Sequence, residues 1–134
     1  MTLVDSNVLV DVLANDAKWM EWSASALEAA SLRGELLVND IVYAELAVKS
    51  HSKADLDAAL RTVGVIFQWV PEEALYLAGK VYDRYRAAGG TRQTLLPDFF
   101  VGAHAQIARV PLLTRDSRRY RTYFPDVSLI TPAR

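Results

Sequence analysis

Four carboxylates stand where a charge needs a reason. Asp5 closes the apolar run Leu3-Val4, Glu45 interrupts the otherwise apolar segment Val42–Val48, Asp98 follows Pro97 ahead of Phe99-Phe100, and Asp116 follows Leu112-Leu113-Thr114. Asp5 is the most telling, because burying a carboxylate is costly unless it is paired or bound to a cation. Taken singly, the other three have ordinary readings. Glu45 fits a salt-bridged helix edge, Asp98 a first-turn acid favoured by the helix dipole, and Asp116 an N-cap for the turn Ser117–Tyr120. Taken together they point to chemistry, because four carboxylates brought to one place cannot all stay ionised without a counter-charge. Oxygen-only donors with room for water suit Mg²⁺ or Mn²⁺ rather than zinc. Such an ion acidifies a bound water and neutralises phosphate oxygens, so the chemistry implied is phosphodiester hydrolysis.

The elements that must position these acids can be read from the apolar spacing. Leu3-Val4 predicts a short buried strand that hands over near Asp5-Ser6-Asn7 to a helix carrying Val8, Leu9, Val12 and Leu13. Trp19, Trp22, Ala26, Leu27 and Ala30 form a second helical stripe, with Gly34 placed to cap it in the left-handed conformation. Leu36–Val38 predicts a second strand. Asn39 or Asp40 caps a third helix, and Lys53–Val63 forms a fourth. Val65–Phe67 predicts a third strand; a long helix then begins with Pro71 in its first turn and ends at Gly89-Gly90. The interval 89–94 reads as a loop. Pro97-Asp98 opens a helix bearing Phe99, Phe100, Ala103 and Ile107, before a fourth strand at Leu112-Leu113 and a fifth within Val127–Ile130. Short apolar strands alternating with amphipathic helices predict an α/β fold, a three-layer α/β/α sandwich around a mostly parallel central sheet. In such sheets the working crevice lies beyond the carboxyl ends of the strands, where Asp5, Glu45 and Asp116 fall.

Composition closes other routes. The 134 residues include no cysteine, which excludes thiol catalysis, disulfide scaffolds and Cys-ligated zinc, and the length suits one domain over 1–134. Of the two histidines, His51 reads as solvated and His104 as structural, with no histidine or cysteine partner at ligand spacing. No GxSxG, HExxH, Walker A or GxGxxG occurs. No apolar run reaches the ~20 residues of a membrane span, and no secretory leader is visible, so the expected location is the cytoplasm.

A net charge of −1 argues superficially against a nucleic-acid partner. The sum hides an asymmetry: residues 1–60 hold ten acids and four bases, residues 61–134 eleven bases and six acids. Arg115, Arg118, Arg119 and Arg121 crowd beside Asp116 with Tyr120 and Tyr123 among them. Arginine grips phosphate and aromatic rings stack on unpaired bases, so this segment is either an RNA-docking edge, which Arg84, Arg86 and Arg92 could extend, or a solvated basic helix end.

The ordered set Asp5-Ser6-Asn7, Tyr43-Ala44-Glu45-Leu46, Pro97-Asp98, Leu113-Thr114-Arg115-Asp116 and Tyr120–Pro125 resembles the PIN-domain ribonucleases, and most closely the VapC toxins of prokaryotic toxin–antitoxin pairs. The resemblance spans nearly the whole chain; each motif alone is weak, and their order supplies the specificity. It implies a metal-dependent endoribonuclease using Mg²⁺ or Mn²⁺, with Asp5, Glu45, Asp98 and Asp116 matching the acidic quartet. Asp116 matches the most variable position. Asn7 and Thr114 match polar positions that orient the quartet, while Asp11 and Asp40 lie near family sites without matching them. Also implied are a homodimer and a VapB-like antitoxin whose tail fills the acidic groove. Two other readings stay open: a non-catalytic module of the same fold that binds RNA or a partner, and an α/β phosphatase or phosphoacceptor domain. Asp5-Ser6-Asn7 lacks the second acid a D-x-D phosphotransferase would carry.

Overall fold

A computed structural model describes residues 1–92 and 95–133; Gln93 and Thr94, the end of the expected loop at 89–94, lie outside the described residues. The chain runs β1 (Thr2–Val4), α1 (Ser6–Leu13), α2 (Met20–Ser31), β2 (Leu36–Val38), α3 (Asp40–Lys49), α4 (Lys53–Val63) and β3 (Val65–Phe67). It continues through α5 (Glu72–Ala87), α6 (Leu96–Ala108), β4 (Leu112–Leu113), α7 (Ser117–Tyr123) and β5 (Leu129–Ile130). The strands form one sheet in the order β3-β2-β1-β4-β5, and every described pairing is parallel. Leu3 is the hub of the register, facing Leu37 on one side and Leu112 on the other.

Local chemistry explains where the helices begin and end. Asp5 caps α1 by accepting from the Ser6 amide, Asn39 caps α3 by accepting from the Val42 amide, and Ser52 caps α4 through the Asp55 amide. Glu72 and Glu73 sit at the positive end of α5, and Arg84 and Arg86 at its negative end. Pro71 takes the N-cap of α5 rather than its first turn. Gly89 follows the Ala88 C-cap with φ 97°, which is why a glycine ends the helix.

Gly34 departs from expectation. The second helix stops at Ser31 with Leu32 at its C-cap, so Gly34 does not cap it. It lies against the start of β1, where an added Cβ would come within 2.9 Å of the Met1 nitrogen. Its role is close approach between chain segments.

The inner strands β1, β2 and β4 are fully buried, while β3 is an edge with Ile66 and Phe67 exposed. Strand order moves outward from β1 through β2 to β3, then jumps back past β1 to β4 and β5. Right-handed crossovers therefore assign the helices before and after β3 to opposite faces. Helix contacts follow the same grouping: α1 packs on α2 and α3, and α3 on α4, while α6 packs on α5 and α7. The two groups also touch where α3 meets α6. No helix among the described residues is long and apolar enough to cross a membrane.

Candidate functional site

Connections leave β1 and β4 in opposite directions, so the crevice of a doubly wound sheet opens at their carboxyl ends. Asp5 is the first residue beyond β1, and Thr114 the first beyond β4. Asp5 is buried, yet both its oxygens are occupied. Oδ1 accepts from the Ser6 amide at 2.8 Å; Oδ2 accepts from Thr114 Oγ1 at 2.8 Å and from the Tyr120 hydroxyl at 3.0 Å. Thr114 Oγ1 in turn accepts from Asn7 Nδ2 at 3.3 Å and from the Asp116 amide at 3.0 Å, and Asn7 Oδ1 accepts from the Arg115 amide at 3.1 Å. Asn7 and Thr114 thus sew the loop after β4 to the start of α1, fixing the direction in which Asp5 faces.

The remaining acids arrive on helices. Glu45 lies midway along α3, its Oε1 accepting from Ser6 Oγ at 3.2 Å. Asp98 lies in the first turn of α6, whose contact with α3 brings the two acids toward Asp5. Asp116 occupies the N-cap position of α7 but makes no cap bond. Its Oδ2 lies 3.5 Å from Arg119 Nη1, and the same guanidinium nitrogen pairs with Asp98 Oδ2.

The electrostatics record the crowding. Burial pushes the Asp5 carboxyl up to about 6, with the charge of Asp98 adding to it and the Thr114, Tyr120 and Ser6 hydrogen bonds opposing it. Burial likewise raises Glu45, and the charges of Asp5 and Asp98 raise it further. Asp98 is raised by burial despite the Arg119 guanidinium, with Asp116 adding to the rise. Tyr120, buried against Asp5, has its hydroxyl held well above the usual tyrosine range, which keeps it a donor.

The donor chemistry is the kind a hard divalent cation prefers. The donors are all oxygens, and the charge of Asp98 raises the proton affinity of Asp5 and Glu45 while Asp5 raises that of Glu45, a repulsion that a bound cation relieves. Among the described residues no three His, Asp or Glu side chains already converge on one point at ligand distance. The positive charge in contact with Asp98 and Asp116 is that of Arg119.

The basic segment divides by function. Arg118 and Arg121 are exposed, whereas Arg119 faces the acids. Arg115 Nε and Nη2 bond the two oxygens of buried Asp11 at 2.6 and 2.9 Å, and its guanidinium lies 4.9 Å from the centre of the Trp19 ring. Ser23 Oγ completes the Asp11 shell at 2.7 Å. Tyr120 is buried on Asp5 and so cannot stack on a base, while Tyr123 is half-buried and packs against Phe99 and Tyr85. Arg92, Arg118 and Arg119 line a cleft of about 460 Å³ with Asp116, Tyr85 and Tyr123. His104 is buried with its Nδ1 3.1 Å from Asn39 Nδ2, and burial holds its imidazole below the usual range. Asp40 is tied to the fold by the Val70 amide at 2.8 Å. Sequence reasoning missed Tyr120 and Ser6 as partners of the acids; the position of Ser6 directly after Asp5, at the first residue of a helix, was the one available signal.

The family model described as "PIN domain" matches residues 2–125. The chain belongs to the PIN-domain family. Solved structures of similar PIN-like fold include the VapBC2 complex of Rickettsia felis bound to a promoter DNA fragment, with TM-score 0.75, 16% identity, and 98% of each chain covered. A toxin–antitoxin complex from Klebsiella pneumoniae gives TM-score 0.73 at 19% identity, covering 99% of this chain and 98% of that one. VapBC-1 of nontypeable Haemophilus influenzae gives 0.72 at 19% identity, covering 97% and 96%. A search of curated proteins finds no match.

Proposed function

We propose that this PIN-domain protein is a metal-dependent endoribonuclease, the toxin of a toxin–antitoxin pair acting in the cytoplasm. The observation that carries this reading is the gathering of Asp5, Glu45 and Asp98 at the sheet's switch point, where the charge of Asp98 raises the proton affinity of both Asp5 and Glu45. In this proposal Asp5, Glu45, Asp98 and Asp116 hold Mg²⁺ or Mn²⁺. The bound ion supplies Lewis acidity, making water a nucleophile near neutral pH and offsetting phosphate charge. Thr114 and Tyr120 hold one Asp5 oxygen by donating to it, which leaves Asp5 oriented without a search through rotamers. Asn7 supports Thr114, and the exposed Arg118 and Arg121 form the docking edge for RNA phosphates, with Arg119 beside the acids and Arg115 bracing the loop. The toxin–antitoxin complexes among its structural neighbours support a VapB-like antitoxin as partner, and we propose a homodimer as the working form.

The test is cleavage of a structured RNA by purified protein with Mg²⁺ or Mn²⁺. Asp98→Asn is expected to reduce cutting at least ~100-fold with the fold retained by circular dichroism. Cleavage that persists in EDTA would overturn the proposal, and RNA retained without any metal-dependent cutting would favour the non-catalytic reading.

A further inference from the structure

The acid cluster already contains a cation of its own. Arg119 Nη1 pairs with Asp98 Oδ2 and lies 3.5 Å from Asp116 Oδ2, so one guanidinium ties the first turn of α7 to the first turn of α6. This is an unusual place for an arginine. A cation in the first turn of a helix faces the positive end of the dipole, where acids are favoured. Asp116 for its part sits at the N-cap without making a cap bond. Both residues therefore set aside their ordinary roles at a helix start in favour of each other and Asp98. The pair is also partly withdrawn from water, with Arg119 28% and Asp98 17% exposed, so it is screened less than a surface ion pair.

We propose that Arg119 is the resident counter-cation of the site: it competes with the divalent ion for the Asp98 carboxylate, and once displaced it turns to hold a substrate phosphate. This inference rests on the metal-dependent reading above. The competition follows from charge and place, since Nη1 holds Asp98 Oδ2 and an incoming ion must share the carboxylate with the guanidinium or displace it. Displacement is sterically open because Arg119 also lines the cleft shared with Arg92 and Arg118. A guanidinium forks onto phosphate as it does onto carboxylate, so the side chain can exchange one anion for the other. An ion that binds only after Arg119 has withdrawn shows an affinity reduced by the fraction of molecules in the competent state.

Isothermal titration with Mn²⁺ at fixed pH and ionic strength, using the purified chain, tests this without reference to cleavage. Arg119→Gln is expected to bind Mn²⁺ roughly 5- to 20-fold more tightly than the unaltered chain. Arg119→Lys, which keeps the charge but loses the fork, is expected to fall between, and it carries the test alone if the Gln variant does not fold. Arg33→Gln removes an equal charge from the segment that precedes β2, at the opposite end of the sheet, and is expected to leave Mn²⁺ affinity unchanged. Unchanged or weaker affinity in the Arg119 variants overturns the proposal, as does an equal gain in Arg33→Gln, which would reveal a net-charge effect. If neither the unaltered chain nor the variants bind Mn²⁺, the metal-dependent reading fails and this inference with it, a result distinct from equal binding by all.

Discussion

Replacing Asp5 with asparagine should make the metal-free protein more stable while abolishing its response to metal. The buried carboxyl is pushed up to about 6 from an ordinary 3.8, so the folded state keeps its proton to higher pH than the unfolded chain does. The contribution of Asp5 to stability is then greatest below pH 3.8, falls as pH rises from there to about 6, and is level above. The gap of about two pH units corresponds to about 3 kcal/mol of destabilisation at neutral pH. Asparagine escapes that cost because it is never charged. It also presents an amino group in place of one oxygen, disturbing either the Ser6 bond or the Thr114 and Tyr120 bonds, a loss of about 1 kcal/mol or somewhat more. The net gain is about 1–2 kcal/mol, or roughly 3–8 °C in melting temperature. The assay is thermal unfolding by circular dichroism in EDTA, from pH 3.5 to pH 8. Asp5→Asn should melt above the unaltered protein at pH 8, lose that advantage by pH 3.5, and show no further rise when Mn²⁺ replaces EDTA. A variant less stable at pH 8, or one whose advantage is the same at every pH, would refute the reasoning.

Three further outcomes are expected. Arg115→Ala strands the Asp11 carboxylate, 2% exposed, with Ser23 as its remaining side-chain hydrogen-bond partner among the described residues, and should cost about 3 kcal/mol in urea unfolding; an unchanged midpoint would show that the pair is dispensable. Gly102→Ala places a Cβ 2.4 Å from Phe124 Cδ2 in the packed layer between α6 and α7, so a loss of about 2 kcal/mol or more should appear as a lowered melting temperature. Tyr120→Phe deletes one donor to Asp5, and the Asp5 carboxyl should titrate above about 6, read from its side-chain carbon shift by NMR; titration at the unaltered pH would refute the hydroxyl's role.

Most of the fold could be read from the chain because its elements are locally determined. Leu36–Val38, Val65–Phe67 and Lys53–Val63 begin and end where apolar spacing and flanking polar residues place them. Gly34 misled because a glycine after a helix is usually a cap, while its actual neighbour, Met1, is distant in sequence. The acids could be picked out because each broke an apolar pattern or opened a helix. Their partners could not. Periodicity tells which side of a helix is buried, but Arg119 meets Asp98 across 21 residues, Arg115 meets Asp11 across 104, and Tyr120 meets Asp5 across 115. Nothing in the spacing of Arg115, Arg118, Arg119 and Arg121 separates the two turned inward from the two left in solvent.

The sheet order bears on when the acid centre can assemble. β1 is completed on one side only by the distant β4, and Asp5 receives its hydroxyl donors from Thr114 and Tyr120, 109 and 115 residues away. A nascent chain still short of these residues has an open central strand and an acid with no fixed direction. The centre therefore assembles only once both distant segments are present, so under the proposed function an incomplete chain lacks the nuclease centre. Pairing over so long a separation is also slow, which sets the last step in building the centre.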